Sequence, residues 1–269
     1  MPTFKGNRGN LLQHWVLVEV ASLLQRVAPE PSSLCFVDAH AMSPWAVRHV
    51  NPGQTAFEFE RVRDGLPGQA SAYELAWHAL VGAGEDRYPS SAAFLRHTWR
   101  GSLHLLLCEH DESAAQEISK WLETLSPETS HELHRGDWRT RFESGLPREY
   151  TNYLISFDPY MFDRHGPALA PNVGNMWPAD IIRLCTPLIE LPASRIVVQL
   201  STYSANNGNP QAAVIETITP IFEAAGFRLD AKVRADGSMM SLVFSRGLST
   251  PSPFATLEEQ FSRWLDQAR

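Results

Sequence analysis

The sequence predicts an α/β fold with a mostly parallel sheet and helices on both faces, and three observations carry that prediction. Short apolar runs alternate with helix-period segments along most of the chain. Three of those runs close on a carboxylate, Asp38, Glu109 and Asp158. The last third then changes style, with two strand-like runs flanking a turn.

The elements follow in order. Leu11, Leu12, Trp15, Val16, Val20, Leu23, Leu24 and Val27 fall on one broad helical face, and Pro29 with Pro31 ends the segment. Leu34-Cys35-Phe36-Val37 is too short for a helix and reads as a buried strand ending on Asp38. The same grammar returns at Leu103 to Cys108 before Glu109 and at Tyr153 to Phe157 before Asp158. Helical periods cover Ala114 to Leu125 and Ala179 to Leu191. A strand over Arg195 to Ser201 and a helix over Gln211 to Ala225 follow, with Gly226 as the stop. Phe227 to Arg234 and Met239 to Ser245, joined by Ala235-Asp236-Gly237-Ser238, form a C-terminal antiparallel hairpin. An amphipathic helix from Leu257 to Leu265 closes the chain.

Residues 49–88 interrupt this alternation. Asn51-Pro52-Gly53 and Leu66-Pro67-Gly68 are turn-like, while Tyr73 to Val81 has helical period. The stretch reads as a small, mostly helical insertion between the first two strands of a single domain spanning 1–269.

Composition narrows the function. The chain has 269 residues, 43% of them apolar, with 23 Lys plus Arg against 30 Asp plus Glu. A formal charge of -7 has the wrong sign for wrapping nucleic acid through a broad basic face, although a local patch is compatible with it. The polar start and the lack of an 18-residue apolar run predict a cytoplasmic protein with no membrane partner. Cys35, Cys108 and Cys185 lack metal-type spacing and read as buried reduced thiols. No metal is expected, since His131-Glu132-Leu133-His134 on a strand would turn its histidines to opposite faces.

Ligands of open parallel sheets sit beyond the carboxyl ends of the strands. Asp38, Glu109 and Asp158 therefore point to one crevice, and Glu109 suits the hydroxyls of a ribose because an ionised carboxylate offers two acceptor oxygens. Helix capping by such residues is the competing explanation, with Asp111 and Glu112 also placed to cap. The loop Asp38-Ala39-His40-Ala41-Met42-Ser43-Pro44 has no glycine, so it lacks a cradle for a pyrophosphate and argues against a nicotinamide or flavin enzyme.

The order of motifs resembles the RlmJ-type ribosomal RNA (adenine-N6) methyltransferases, a family with the Rossmann-like class I S-adenosylmethionine (SAM) methyltransferase fold. The matching pieces are Gly9-Asn10 or Gly6-Asn7, Leu12-Gln13-His14, Asp38-Ala39-His40-Ala41, Arg87-Tyr88-Pro89-Ser90-Ser91, Leu107-Cys108-Glu109-His110, Gly136-Asp137-Trp138, Phe157-Asp158-Pro159-Tyr160 and the hairpin from Ser238 to Phe244. They cover nearly the whole chain in the family's order. The resemblance implies SAM as cofactor, with His14, Asp38, His40, Ser91, Glu109 and Asp137 around it. It also implies that Asp158 and the Pro159 carbonyl hold the target amine, with Tyr160 or Phe162 as the stacking aromatic.

Three departures fall at the chemistry. Met42 and Pro44 stand where the family has glycines, the catalytic tetrad reads Asp-Pro-Tyr-Met, and Gln13 replaces a lysine. Two readings stay open: a divergent methyltransferase acting on an adenine of RNA, ribosomal by resemblance, or an inactive relative that binds a ligand or a protein partner. Arg48, Arg61, Arg63, Arg87, Arg96 and Arg100 give a local basic bias. Trp45, Trp77, Trp99, Trp138 and Trp177 are candidate stacking platforms, with burial in the core as the commoner fate of tryptophan. Ser204 to Asn209 is a polar loop or lid.

Overall fold

A computed structural model describes residues 4–5, 8–28, 30–48, 71–81, 87–159, 161–163, 174–192, 194–203, 211–235 and 239–267. The strands are β1 (Phe4–Lys5), β2 (Ser33–Asp38), β3 (Trp45–Arg48), β4 (Arg87–Pro89), β5 (Ser102–Glu109), β6 (Thr129–Arg135), β7 (Asn152–Phe157), β8 (Met161–Phe162), β9 (Asn175–Met176), β10 (Arg195–Tyr203), β11 (Arg228–Arg234) and β12 (Met239–Arg246). The helices are α1 (Arg8–Val27), α2 (Ala72–Leu80), α3 (Ser91–Thr98), α4 (Glu112–Leu122), α5 (Trp138–Glu143), α6 (Pro178–Ile189), α7 (Gln211–Ala224) and α8 (Leu257–Gln267).

Seven strands form the main sheet in the order β6-β5-β2-β7-β10-β12-β11. The first five are mutually parallel, and β12 runs antiparallel between β10 and β11, which is the hairpin expected from the sequence. Alternation along each strand divides the core. Leu34, Phe36, Leu105, Leu154, Val197 and Val243 face one layer, containing α1 to α4 and α8. Val37, Leu106, Ile155, Val198 and Leu242 face the other, containing α5, α6 and α7.

β6 is the strand that composition conceals. Its sequence Thr-Ser-His-Glu-Leu-His-Arg has one apolar residue because it lies at the sheet edge, mostly half-buried or exposed.

The first helix is buried on every side. Residues 11–20 are all buried, including Gln13, His14 and Glu19, because α1 lies between the sheet on one side and α2, α3 and α8 on the other. Its polar side chains therefore need internal partners. The Oε1 of Glu19 accepts the Tyr73 amide at 3.0 Å, supplying the first turn of α2 with an acceptor from another helix. Ser71 and Glu74 complete that helix start as a capping box, and Glu74 also accepts the indole N–H of Trp264 in α8 at 3.1 Å.

Of the insertion, 49–70 and 82–86 lie outside the described residues. The remainder includes α2 as expected and the short strand β4, which pairs with β3. With β1 they make a three-stranded sheet that the sequence did not signal, since pieces of two to four residues carry no period. The polar loop 204–209 also lies outside the described residues. Among the described residues no helix is long and apolar enough to cross a membrane.

Candidate active site at the carboxyl ends of the strands

The chain leaves β2 for β5 on one side and reaches β7 on the other, so the central switch point lies at the carboxyl end of β2. Asp38 ends β2, Glu109 ends β5, and Asp158 directly follows β7. The sequence thus places all three carboxylates at one edge of the sheet.

Backbone hydrogen bonds tie these strand ends together. The Ala39 amide donates to the Ser156 carbonyl at 3.1 Å, and Ala41 donates to the Cys108 carbonyl at 2.9 Å. Gly136 donates to the Glu109 carbonyl at 2.9 Å, joining the end of β6 to that of β5. Its φ of +146° is a conformation that side-chain-bearing residues rarely adopt, so glycine is required where the chain turns into Asp137.

His40 links two of the carboxylate positions. Its amide donates to Oδ1 of Asp38 at 3.2 Å, and its Nδ1 accepts the Asp158 amide at 3.4 Å. With Nδ1 as acceptor, the neutral ring carries its proton on Nε2. The imidazole packs against Trp138 and Phe157, with centroids 6.0 and 6.2 Å away.

Glu109 is a buried carboxylate at the end of β5. Its Oε1 accepts the Asp111 amide at 2.7 Å and lies 3.4 Å from Nδ1 of the exposed His110. Burial raises its pKa above the ordinary carboxylate range, against the lowering pull of the Asp111 amide and His110. The cap of α4 falls to Asp111, whose Oδ1 accepts the Ala114 amide at 2.9 Å. Glu109 accepts the amide of that cap residue, so it braces the start of α4 without being its cap.

His14 and Ser91 are together, as the resemblance implies, but they face each other. His14 is fully buried, with Nδ1 3.0 Å from the Tyr88 hydroxyl and Nε2 3.1 Å from the Ser91 hydroxyl. Tyr88 reaches on to Tyr73 at 3.3 Å, so the chain of hydroxyls runs into the α2 layer. No feature of the sequence assigned Tyr88 this part.

Asp137 caps α5, accepting the Arg139 amide at 3.0 Å, and its two oxygens accept Arg139 Nη1 at 3.1 and 3.2 Å. Arg139 itself was not legible as a functional residue. Its guanidinium also makes two bonds to the fully buried Asp180 and one to the Asn175 carbonyl, and it lies 4.7 Å from the Trp138 ring centre and 4.6 Å from that of Trp177.

Pro159 is buried beside Asp158, and Phe162 is fully buried in β8; Tyr160 lies outside the described residues. Trp77, Trp99 and Trp138 are buried too, which corrects their reading as stacking platforms; core packing takes their faces. Trp45 and Trp177 keep partial exposure. The three cysteines are free and buried, and burial raises each thiol pKa, that of Cys185 to about 12. Among the described residues no group of three or more His, Cys, Asp or Glu could hold a metal ion.

The fit to SAM differs between its two ends. A buried carboxylate at Glu109 suits a pair of ribose hydroxyls, because each hydroxyl would supply a donor to a group removed from water. The first loop fits the amino-acid end less well. The amides of residues 39, 40 and 41 are spent on Ser156, Asp38 and Cys108, so they do not converge on a ligand carboxylate as a glycine loop would.

No family model matches the sequence, and no curated protein matches it. Among solved structures, the chain is similar to protein LPL1258 of Legionella pneumophila, assigned to the DUF519 family, with a TM-score of 0.64 at 12% identity over 97% of this chain and 94% of that one. Weaker likenesses include a putative methylase from Haemophilus influenzae, TM-score 0.42 at 12% identity over 86% and 87% of the two chains. A putative rRNA methylase from Clostridium thermocellum gives 0.41 at 12% over 85% and 96%. The parallel sheet, its helical layers and the inserted antiparallel strand make this a Rossmann-like α/β fold, the fold it shares with the Legionella protein.

Proposed function

We propose that this chain is a SAM-dependent methyltransferase acting on the N6 amine of an adenine in RNA. The observation that carries the reading is the joined set Asp38, His40 and Asp158 at the switch point, with Glu109 on the neighbouring strand end. SAM supplies the methyl group when bound. Glu109 accepts its ribose hydroxyls, and His40, braced by Asp38 and the Asp158 amide, sets the height of the loop after β7. Asp158 and the Pro159 carbonyl would accept hydrogen bonds from the two N–H groups of the target amine, which would turn the nitrogen lone pair toward the cofactor; the methylated amine keeps one hydrogen and the other would leave as a proton through Asp158 to solvent. Catalysis on this reading is positioning and electrostatics, without a covalent enzyme intermediate. Ribosomal RNA as the source of the adenine follows from the resemblance.

The test is incorporation of labelled methyl from SAM into extracted RNA, with Asp158→Ala as the control. Incorporation by the native chain and none by the variant supports the reading. Equal incorporation by both overturns the role of Asp158.

A second reading has one observation in its favour, namely the three loop amides already committed to protein acceptors. Together with Met42 and Pro44 they suit a fold kept as a ligand-binding or partner-binding module. SAM binding without methyl transfer to RNA, or no SAM binding, would mark it.

A further inference from the structure

A second concave site lies at the other end of the molecule. The C-terminal turns of α1 and α3 and the first two turns of α2 enclose a groove of about 470 Å³ lined by Ser22, Gln25, Arg26, Glu30, Ala72, Leu75, Ala76, His97, Thr98 and Arg100. α1 and α3 end just before the starts of β2 and β5. The groove therefore sits at the amino ends of those strands, and the six residues of β2 put about 20 Å between it and Asp38.

Its charge is lopsided. Arg26, His97 and Arg100 line it with one carboxylate, Glu30, all four exposed; among the described residues none of the three cations makes an ion pair within 4.0 Å, and Arg26 acts on Glu19 only at longer range. A basic residue near a helix C-terminus is ordinarily explained by the helix dipole, which accounts for Arg26 and His97 singly. It does not account for their meeting Arg100, from beyond the helix, in one cavity. The pKa of His97 is lowered, first by burial and then by the neighbouring Arg96 and Arg100. Leu75, 62% exposed, lines the same groove with Ala72 and Ala76 and gives it an apolar part.

We propose that this groove binds the phosphate of a nucleotide, with the phosphate between Arg26 and Arg100 and the base or sugar against Leu75. Guanidinium pairs match phosphate oxygens in geometry and charge, and the volume suits one nucleotide. The phosphate belongs either to a free nucleotide or to the backbone of single-stranded RNA. In the second case the groove is an anchoring point for the proposed substrate, and that part rests on the function proposed above.

The experiment is binding of a labelled single-stranded RNA 12-mer and of adenosine monophosphate to the full chain, at 50 mM salt. The double substitution R26Q/R100Q is expected to weaken both at least tenfold and to reduce the salt slope of RNA binding by about 2. Affinity for the RNA, whose phosphodiesters do not titrate in this range, is expected to rise as pH falls from 7 to 5 and His97, with its lowered pKa, gains its proton beside Arg26, Arg96, Arg100, Glu30 and the Arg26-facing Glu19, and H97Q is expected to flatten that rise. RNA bound far more tightly than the mononucleotide assigns the groove to a strand; equal affinities assign it to a free nucleotide. Binding of neither probe, or binding of both that is unchanged in R26Q/R100Q, overturns the proposal. SAM-induced thermal stabilisation of the native chain and of the double variant is read in parallel. An absent shift counts against the proposed methyltransferase and leaves the groove result standing by itself.

Discussion

Arg139 and Asp180 form a two-point ion pair, Nε to Oδ1 at 2.7 Å and Nη2 to Oδ2 at 2.9 Å, with Asp180 fully buried. The pair joins the α5 turn after Asp137 to the start of α6, where Asp180 also accepts the Trp177 amide at 3.1 Å. Removing one partner leaves a buried charge without its counter-ion, which costs about 3–5 kcal/mol. Asp180→Ala and Arg139→Ala are each expected to lower stability by about that amount in urea unfolding, and the double variant by much less than their sum. Additive losses would show that the two side chains act independently.

Glu109 gives the cofactor reading its most direct check. SAM present at 100 times its dissociation constant is expected to stabilise the native chain by about 2.7 kcal/mol, a rise of several degrees in Tm. Glu109→Ala is expected to abolish the shift while leaving circular dichroism unchanged. A full shift in that variant would remove Glu109 from the cofactor site.

The first loop allows the opposite kind of experiment, a gain. Met42→Gly combined with Pro44→Gly removes bulk and restores a backbone donor and φ freedom at the place where SAM's amino-acid end would lie. The double variant is expected to bind SAM more tightly than the native chain in calorimetry, although its folding stability drops by up to about 1 kcal/mol for each glycine. Unchanged affinity would mean that the committed amides of residues 39–41, rather than side-chain bulk, limit the loop.

Glu19 supplies a pH dependence. Burial raises its folded-state pKa, offset in part by the Tyr73 and Ala72 amides and by Arg26. A carboxyl with a raised folded pKa binds its proton more tightly in the folded than in the unfolded chain. Its ionisation therefore removes stability as pH rises through the interval from the ordinary carboxylate value up to the folded one. Glu19→Gln keeps an acceptor for Tyr73 and cannot ionise. The variant is expected to gain stability relative to the native chain from pH 4 to pH 7 in paired denaturant titrations; a constant difference would show that Glu19 ionises alike in both states.

His14 tests whether a buried polar residue serves the fold or a ligand. Its nitrogens meet Tyr88 and Ser91, so His14→Leu removes one hydrogen bond from each of two buried hydroxyls, Tyr88 keeping that to Tyr73, and is expected to cost about 1–3 kcal/mol. His14→Gln, which can still serve one of them, is expected to recover part of the loss in thermal unfolding.

The parts legible in the sequence are those with a strong local signal. β2, β5 and β7 are continuous apolar runs because parallel strands at the centre of the sheet are covered on both faces, and their terminal carboxylates stand out against that background. β6 was hidden because an edge strand needs few apolar residues. The Arg139–Asp180 pair was hidden for another reason. Its members are 41 positions apart, and neither lies in a pattern; only the fold brings α5 and α6 together. The His14–Tyr88 contact likewise spans 74 positions and depends on β4, three residues long.

The burial of α1 on all sides has a consequence for how the molecule is made. Its neighbours include β12 and α8, whose residues are translated more than 200 positions after Val27. α1 cannot reach its final environment until β12 and α8 have emerged, and the apolar face with Leu11, Trp15, Val16 and Val20 lacks those neighbours meanwhile. Contacts of such long sequence separation slow folding and lengthen exposure to aggregation. Synthesis thus leaves this helix waiting for partners made more than 200 residues later.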